Sequence, residues 1–143
     1  MRKAAAMPPV IEEPPVNEDE IVRLVDAFYA KIRRDPILAP VFERAIAPDA
    51  WPKHLAKMYD FWSSVMRTSG RYKGNPLGVH AQVKGLEEGM FEPWLKLFRE
   101  TAGELFSPEV AAIFREKSER IAESLKLGLF LRLFPPGSAR PPL

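Results

Sequence analysis

The chain reads as an all-α protein, and three observations predict it. No stretch alternates apolar and polar residues between hairpin turns, so strand signals are absent. Apolar residues instead recur at helical spacing in several segments. Helix-start signals, an Asn, Asp or Ser followed by acids or proline, stand where those segments begin. A length of 143 residues fits one domain. Of the 15 prolines, eight fall before Val16 or after Phe134. Residues 1–16 and 134–143 are therefore expected to be disordered proline-rich tails around a folded core over residues 17–133.

The first helix is predicted to open on Asn17, whose side chain caps the turn while Glu20 at the third position reaches back, a capping box. Ile21, Leu24, Val25, Phe28, Tyr29 and Ile32 then share one face. Asp35-Pro36 ends that helix, because a residue before proline is pushed out of the helical region. Pro36 suits the first turn of a short segment that contains Phe42. Asp49 is placed to cap the next helix, over about 50–68, with Pro52 in its first turn and His54, Met58, Phe61, Trp62 and Val65 on one face. Ser69-Gly70 closes it. A Gly/Pro-rich loop follows from Tyr72 to Gly78, then a single helical turn near Val79 to Val83. A long helix over about 89–106 presents Phe91, Trp94, Leu95 and Phe98. Ser107-Pro108 starts the last one, which carries Val110, Ile113, Phe114, Ile121, Leu125 and Leu129. The count is five substantial helices and some short turns.

Composition narrows the function. The net charge is only +2 and the basic residues are scattered, which argues against a nucleic-acid partner. No cysteine is present, so disulfides, thiolate ligation and cysteine zinc sites are excluded. No apolar run is long enough to span a bilayer. Prolines and acids interrupt the N-terminal segment before a signal core can form, and a cytoplasmic location is the default expectation.

Two histidines carry the chemical interest. A neutral imidazole is a good iron ligand, and His80 stands just after the loop with Leu77, Val79 and Val83 as apolar neighbours. From spacing alone, a surface histidine beside a loop is the commoner case. His54 occupies the inner face of its helix with Met58 and Trp62, where a ring packed at the helix edge is the plainer reading. A two-histidine zinc site lacks the usual close pair. Tyr29 lies on the apolar face of the first helix, and its hydroxyl needs a partner if buried. Trp94 offers one indole N–H on a large apolar body. Phe28, Phe42, Phe61 and Trp62 are, unaided, core residues. Pattern alone gives an all-α domain with two well-placed histidines, and no cofactor.

Three fragments add to this. They are Phe28-Tyr29 with the run to Phe42, then Trp51 to Trp62, then Tyr72 to His80 followed by Phe91 to Phe98. In this order and spacing they resemble a truncated haemoglobin of the third group, over about residues 18–129. The first glycine is Gly70 and no Gly-Gly pair occurs, which agrees with that group. The resemblance implies a shortened globin, a two-over-two helical sandwich whose proximal helix is reduced to a loop and one turn. It implies haem b as cofactor and His80 as the ligand of its iron. It implies that Tyr29 and Trp94 are distal donors to a ligand held opposite His80, and that His54 stands at the distal helix position with Met58 one turn on. It implies that Phe42 wedges against the macrocycle, that Trp62 packs on it, and that Tyr72 reaches a propionate. The proline-rich tails have no place in the family pattern.

What the resemblance implies for function is binding of dioxygen and other diatomics, in redox or nitric oxide and peroxide detoxification chemistry. Nitric oxide dioxygenation or peroxidase-like turnover would draw electrons from an external reductase. A monomer or weak dimer is expected. The alternatives are a ligand sensor or interaction protein of the same fold, with no turnover of its own, and a haem-free helical module in which both histidines are structural.

Overall fold

The computed structural model describes residues 13–130, and the expectations for residues 1–12 and 131–143 lie outside the described residues. Within them every regular element is a helix, with no strand. Helix α1 (Glu18–Ile32) begins at the expected capping box: Asn17 Oδ1 accepts from Glu20 N at 2.8 Å, and Glu20 Oε1 accepts from Asn17 N at 2.9 Å. Glu18, Asp19 and Glu20 in its first turn also offset the positive end of the helix dipole. All six residues predicted for its inner face are buried.

The folded unit starts one residue before that cap. Val16, assigned above to the tail, is only 2% exposed, and its carbonyl accepts from Arg67 Nη1 at 2.8 Å. Arg67 Nε also lies 2.8 Å from Glu18 Oε2, an ion-pair contact without good hydrogen-bond alignment. Buried Ser63 Oγ donates to the same carboxylate oxygen at 2.8 Å. This cluster joins the start of α1 to the end of α3.

Asp35 ends the first helical run by accepting from the backbone of Ile37 and Leu38, at 3.0 and 2.9 Å. Helix α2 (Ala39–Ala45) follows, and its first-turn proline is Pro40 rather than Pro36. Asp49 does not cap the next helix. A 3₁₀ turn (Pro48–Ala50) runs straight into α3 (Trp51–Arg67), so Ala50 at the cap position is already helical and no side chain bonds there. Thr68, at φ 56°, ends α3 in the left-handed region, one residue before the predicted Ser69-Gly70 stop.

The turn bearing His80 also starts earlier than predicted. Helix α4 (Pro76–Ala81) has Pro76 as its first residue and Asn75 as its cap, with Asn75 Oδ1 accepting from Gly78 N at 3.1 Å. A second 3₁₀ turn (Glu88–Met90) leads into α5 (Phe91–Leu105). Ser107 Oγ then accepts from Val110 N at 3.3 Å at the head of α6 (Pro108–Phe130). Four helices are long and two are short, where five substantial helices and some short turns were expected.

Helix α1 packs on α3 and α5, α5 packs on α6, and α4 rests on α6. This is the two-over-two sandwich with a minimal proximal helix. Phe98 sits where the layers meet: its ring stacks on Trp62 at 4.8 Å and on Trp94 at 5.7 Å, and meets Phe28 edge-on at 5.1 Å. Buried hydroxyls of Thr101 and Ser118 return to carbonyls of their own helices, at 2.7 and 2.9 Å, and so are not left unpaired.

Candidate functional site

Between α2, α4, α5 and α6 lies a cavity of about 420 Å³ including its mouth, lined by Leu38, Phe42, His80, Leu86, Met90, Phe91, Trp94, Ala122 and Leu125. His80 is its one ionisable lining residue. The short helix α4 brings the ring there, and Leu77 of the same helix lies against Gly128 of α6. The ring is oriented from behind, because His80 Nδ1 lies 2.6 Å from the Pro76 carbonyl oxygen. A carbonyl can only accept, so Nδ1 carries the proton and Nε2 keeps its lone pair, the form a metal requires.

A second group of rings stands beside Phe42. Tyr29 meets Phe42 and Trp51 edge-on at 5.9 Å each and His54 at 5.1 Å, while Trp51 and His54 are 5.5 Å apart. Tyr29 is 7% exposed, and burial alone pushes its phenol far above the ordinary range, so the hydroxyl stays protonated as a donor. His54 points inward. Its Nε2 is buried without a hydrogen-bond partner, and burial first, then Lys57, then His80, bring its pKa down to about 4. A charge on His80 is thus felt at His54. Phe28 links this group to Trp94 by edge contacts to Tyr29 at 5.2 Å and to Trp94 at 5.5 Å.

Of the expected site residues, His80, Phe42 and Trp94 line the cavity, Tyr29 touches the lining residue Phe42, and His54 touches Tyr29 one layer further out. Met58 is partly buried and packs on the main core. Trp62 is not on the cavity wall: it is 3% exposed and stacks on Phe98, because its face of α3 meets α5 and α6 there. Tyr72 is also off the wall. Its ring stands edge-on to Phe61 at 5.2 Å, its backbone N–H donates to Ser64 Oγ at 2.9 Å, and burial raises its phenol pKa. Sequence reasoning did not assign Leu38, Leu86, Met90, Phe91, Ala122 and Leu125 to the site. Phe91 and Leu125 carried a helical-face signal, whereas Leu86 and Ala122 carried none. Trp51 was also missed. It is 3% exposed with an unpartnered indole N–H, and the Arg33 guanidinium lies 4.3 Å over its ring.

The donor set fits a flat apolar macrocycle with a central metal. The wall is aliphatic and aromatic except for His80, whose Nε2 is free, and His54 Nε2 and Trp51 Nε1 nearby are buried and unpartnered.

Comparison with known proteins agrees with this architecture. The bacterial-like globin family matches residues 17–125. The chain is 32% identical over 117 residues to the group 3 truncated hemoglobin of Campylobacter jejuni, covering 80% of this chain and 92% of that one. A crystal structure of the group III truncated hemoglobin from Campylobacter jejuni superposes with a TM-score of 0.77 at 30% identity, covering 84% of this chain and 96% of that chain. Sequence match and shared fold both extend over most of the chain, which belongs to the bacterial-like globins and, among them, to the group III truncated haemoglobins.

Proposed function

We propose that the chain binds haem b through His80 Nε2 and takes dioxygen and other diatomic molecules on the opposite side. One observation carries this reading. A histidine ring is held by a backbone carbonyl with Nε2 free, on the wall of an otherwise apolar cavity. Haem, when bound, would supply an iron able to accept a small diatomic ligand.

The chain's own residues do the rest. Tyr29 Oη, kept protonated by burial, donates a hydrogen bond to the ligand. Trp94, on the cavity wall, offers its indole N–H as a second donor. His54 is neutral near pH 7, so it presents one donor or acceptor without adding charge. Phe42 holds the flat group from the side, with Met58 one turn beyond His54. Donors fixed in a dry pocket favour a ligand that gains negative charge, at roughly 1.5–3 kcal/mol for each charge-assisted bond. Such a cage suits nitric oxide or peroxide detoxification with electrons from an external reductase, in a cytoplasmic monomer or weak dimer. Among the described residues no helix is long and apolar enough to cross a membrane.

The test is the absorption spectrum of the protein loaded with haemin, reduced, and exposed to carbon monoxide, beside His80→Ala. The expected result is stoichiometric uptake with a globin-like Soret band that shifts with carbon monoxide and is weakened or altered in His80→Ala. A spectrum indifferent to that substitution would remove His80 as the ligand.

A further inference from the structure

Two glycines lie within the long helices, Gly103 in α5 and Gly128 in α6, and their surroundings differ. A Cβ built on Gly103 would meet nothing within 4 Å. One built on Gly128 would lie 2.7 Å from Leu77 Cδ1, 3.1 Å from Cδ2 and 3.5 Å from Cγ. The branched end of Leu77 thus fills the place where any other residue carries its first side-chain atom. Glycine is less favourable than alanine inside a helix. Nothing near Gly103 offsets that loss, whereas at Gly128 the missing Cβ lets α4 come down on α6.

This approach bears on His80. Leu77 and His80 are three residues apart on α4 and share a side of it. Gly128 and Leu125 stand in the same relation on α6. The two pairs match: Leu77 rests on Gly128, and His80 and Leu125 line one cavity. Leu77 itself is 43% exposed and is not on the cavity wall, so what it offers is the contact with α6. The hydrogen bond behind His80 cannot do the same work. Its acceptor, the Pro76 carbonyl, belongs to α4 too, so it fixes how the ring is turned on that helix and not how far the ring reaches into the cavity. The reach is set by where α4 rests, and six residues are too few to hold themselves in place. We propose that Leu77 on Gly128 is the seat that sets this reach, which makes both of them positioning residues for His80; this rests on the haem reading above.

The test loads the whole protein with haemin, reduces it, and reads the iron–histidine stretching band by resonance Raman. The native chain is compared with Gly128→Ala, Leu77→Ala, the two combined, and Gly103→Ala. In Gly128→Ala the new methyl meets Leu77 and lifts α4, so the band should move to lower frequency. The denaturation midpoint of the haem-free chain should hold, because alanine suits α6 better than glycine does. Leu77→Ala should broaden the band, since α4 loses its fixed rest. In the combined variant the added methyl takes up space that Leu77 leaves, and the band should return towards its native position. Gly103→Ala should leave it unchanged. A native band in both Gly128→Ala and Leu77→Ala would overturn the seat. So would an equal shift in Gly103→Ala, which would mean that any alanine in these helices is felt at the iron. A midpoint that falls in step with the shift would also overturn it, because Gly128 would then only hold the fold. If Gly128→Ala does not fold, Leu77→Ala, at an exposed position, decides alone. Failure of the native chain to take up haemin is seen earlier, as a missing Soret band, and removes the haem reading and this seat together. Failure of the seat alone leaves the native Soret band intact.

Discussion

Burial of His54 against Trp51 and Tyr29 has a consequence for acid stability. Its pKa in the folded chain is about 4, while the unfolded chain keeps the ordinary value of 6.5. Between those values the unfolded state binds more protons, so stability from this group is full above about pH 6.5 and is lost as pH falls towards 4. The ring is partly open to solvent, and screening trims the effect to on the order of 1 kcal/mol between pH 7 and 5. In urea unfolding at those two pH values, His54→Gln should lose less stability on acidification than the native chain. An identical loss in both would show that His54 is not buried as a neutral ring. The inward orientation was not legible in the sequence. Helical spacing placed His54 on the face with Met58 and Trp62, but a ring at the edge of such a face can turn either way. What decides it is packing against Tyr29 of α1, and no pattern within α3 contains that partner.

Helix α4 shows where local signals suffice and where they mislead. At six residues it is too short to stand alone. It depends on Asn75 at its cap, on Pro76 as a preset first residue, and on its seat against α6. Asn75→Ala should cost roughly 1 kcal/mol locally. Hydrogen exchange at the Val79 amide, which donates to the Asn75 carbonyl, should then quicken about fivefold with no change in α3. Exchange quickened equally in α3 would mean that the cap stabilises the whole domain instead. The Asn75-Pro76 pair is the same kind of start as Ser107-Pro108, which was read correctly. Surrounding glycines made it look like loop, and the helix was placed too late. Asp49 failed for the opposite reason. It has the right chemistry for a cap, but the 3₁₀ turn ahead of α3 leaves no extended residue from which a side chain could bond back. Helix α1 was legible because cap, acidic first turn and apolar face all agree.

Across the molecule, Phe98 ties the layers together. It touches Phe28 of α1, Trp62 of α3, Trp94 of its own helix and Phe114 of α6. Phe98→Ala should cost roughly 3–5 kcal/mol, the range for emptying a large aromatic site. A denaturant midpoint shifted by much less would show that the core collapses around the gap. Periodicity found the apolar faces of these helices, but it cannot say which face closes a core and which closes a cavity. Trp62 and Trp94 carry the same signal in sequence, yet one lies inside the aromatic stack and the other reaches the cavity. Leu38, Leu86 and Ala122 come from distant stretches and meet only in the folded chain. The pairing of His80 with Tyr29 and His54 came from the resemblance to truncated haemoglobins, not from spacing.

The partner of His80 Nδ1 is the peptide carbonyl of Pro76, where another protein could have used a carboxylate. A peptide oxygen takes up no proton in ordinary buffers, so the electron supply behind this imidazole does not vary with acidity. As the proposed iron ligand, His80 therefore takes no acid–base lever from that partner. If ligand capture proves sensitive to pH, the carbonyl behind His80 is not the cause.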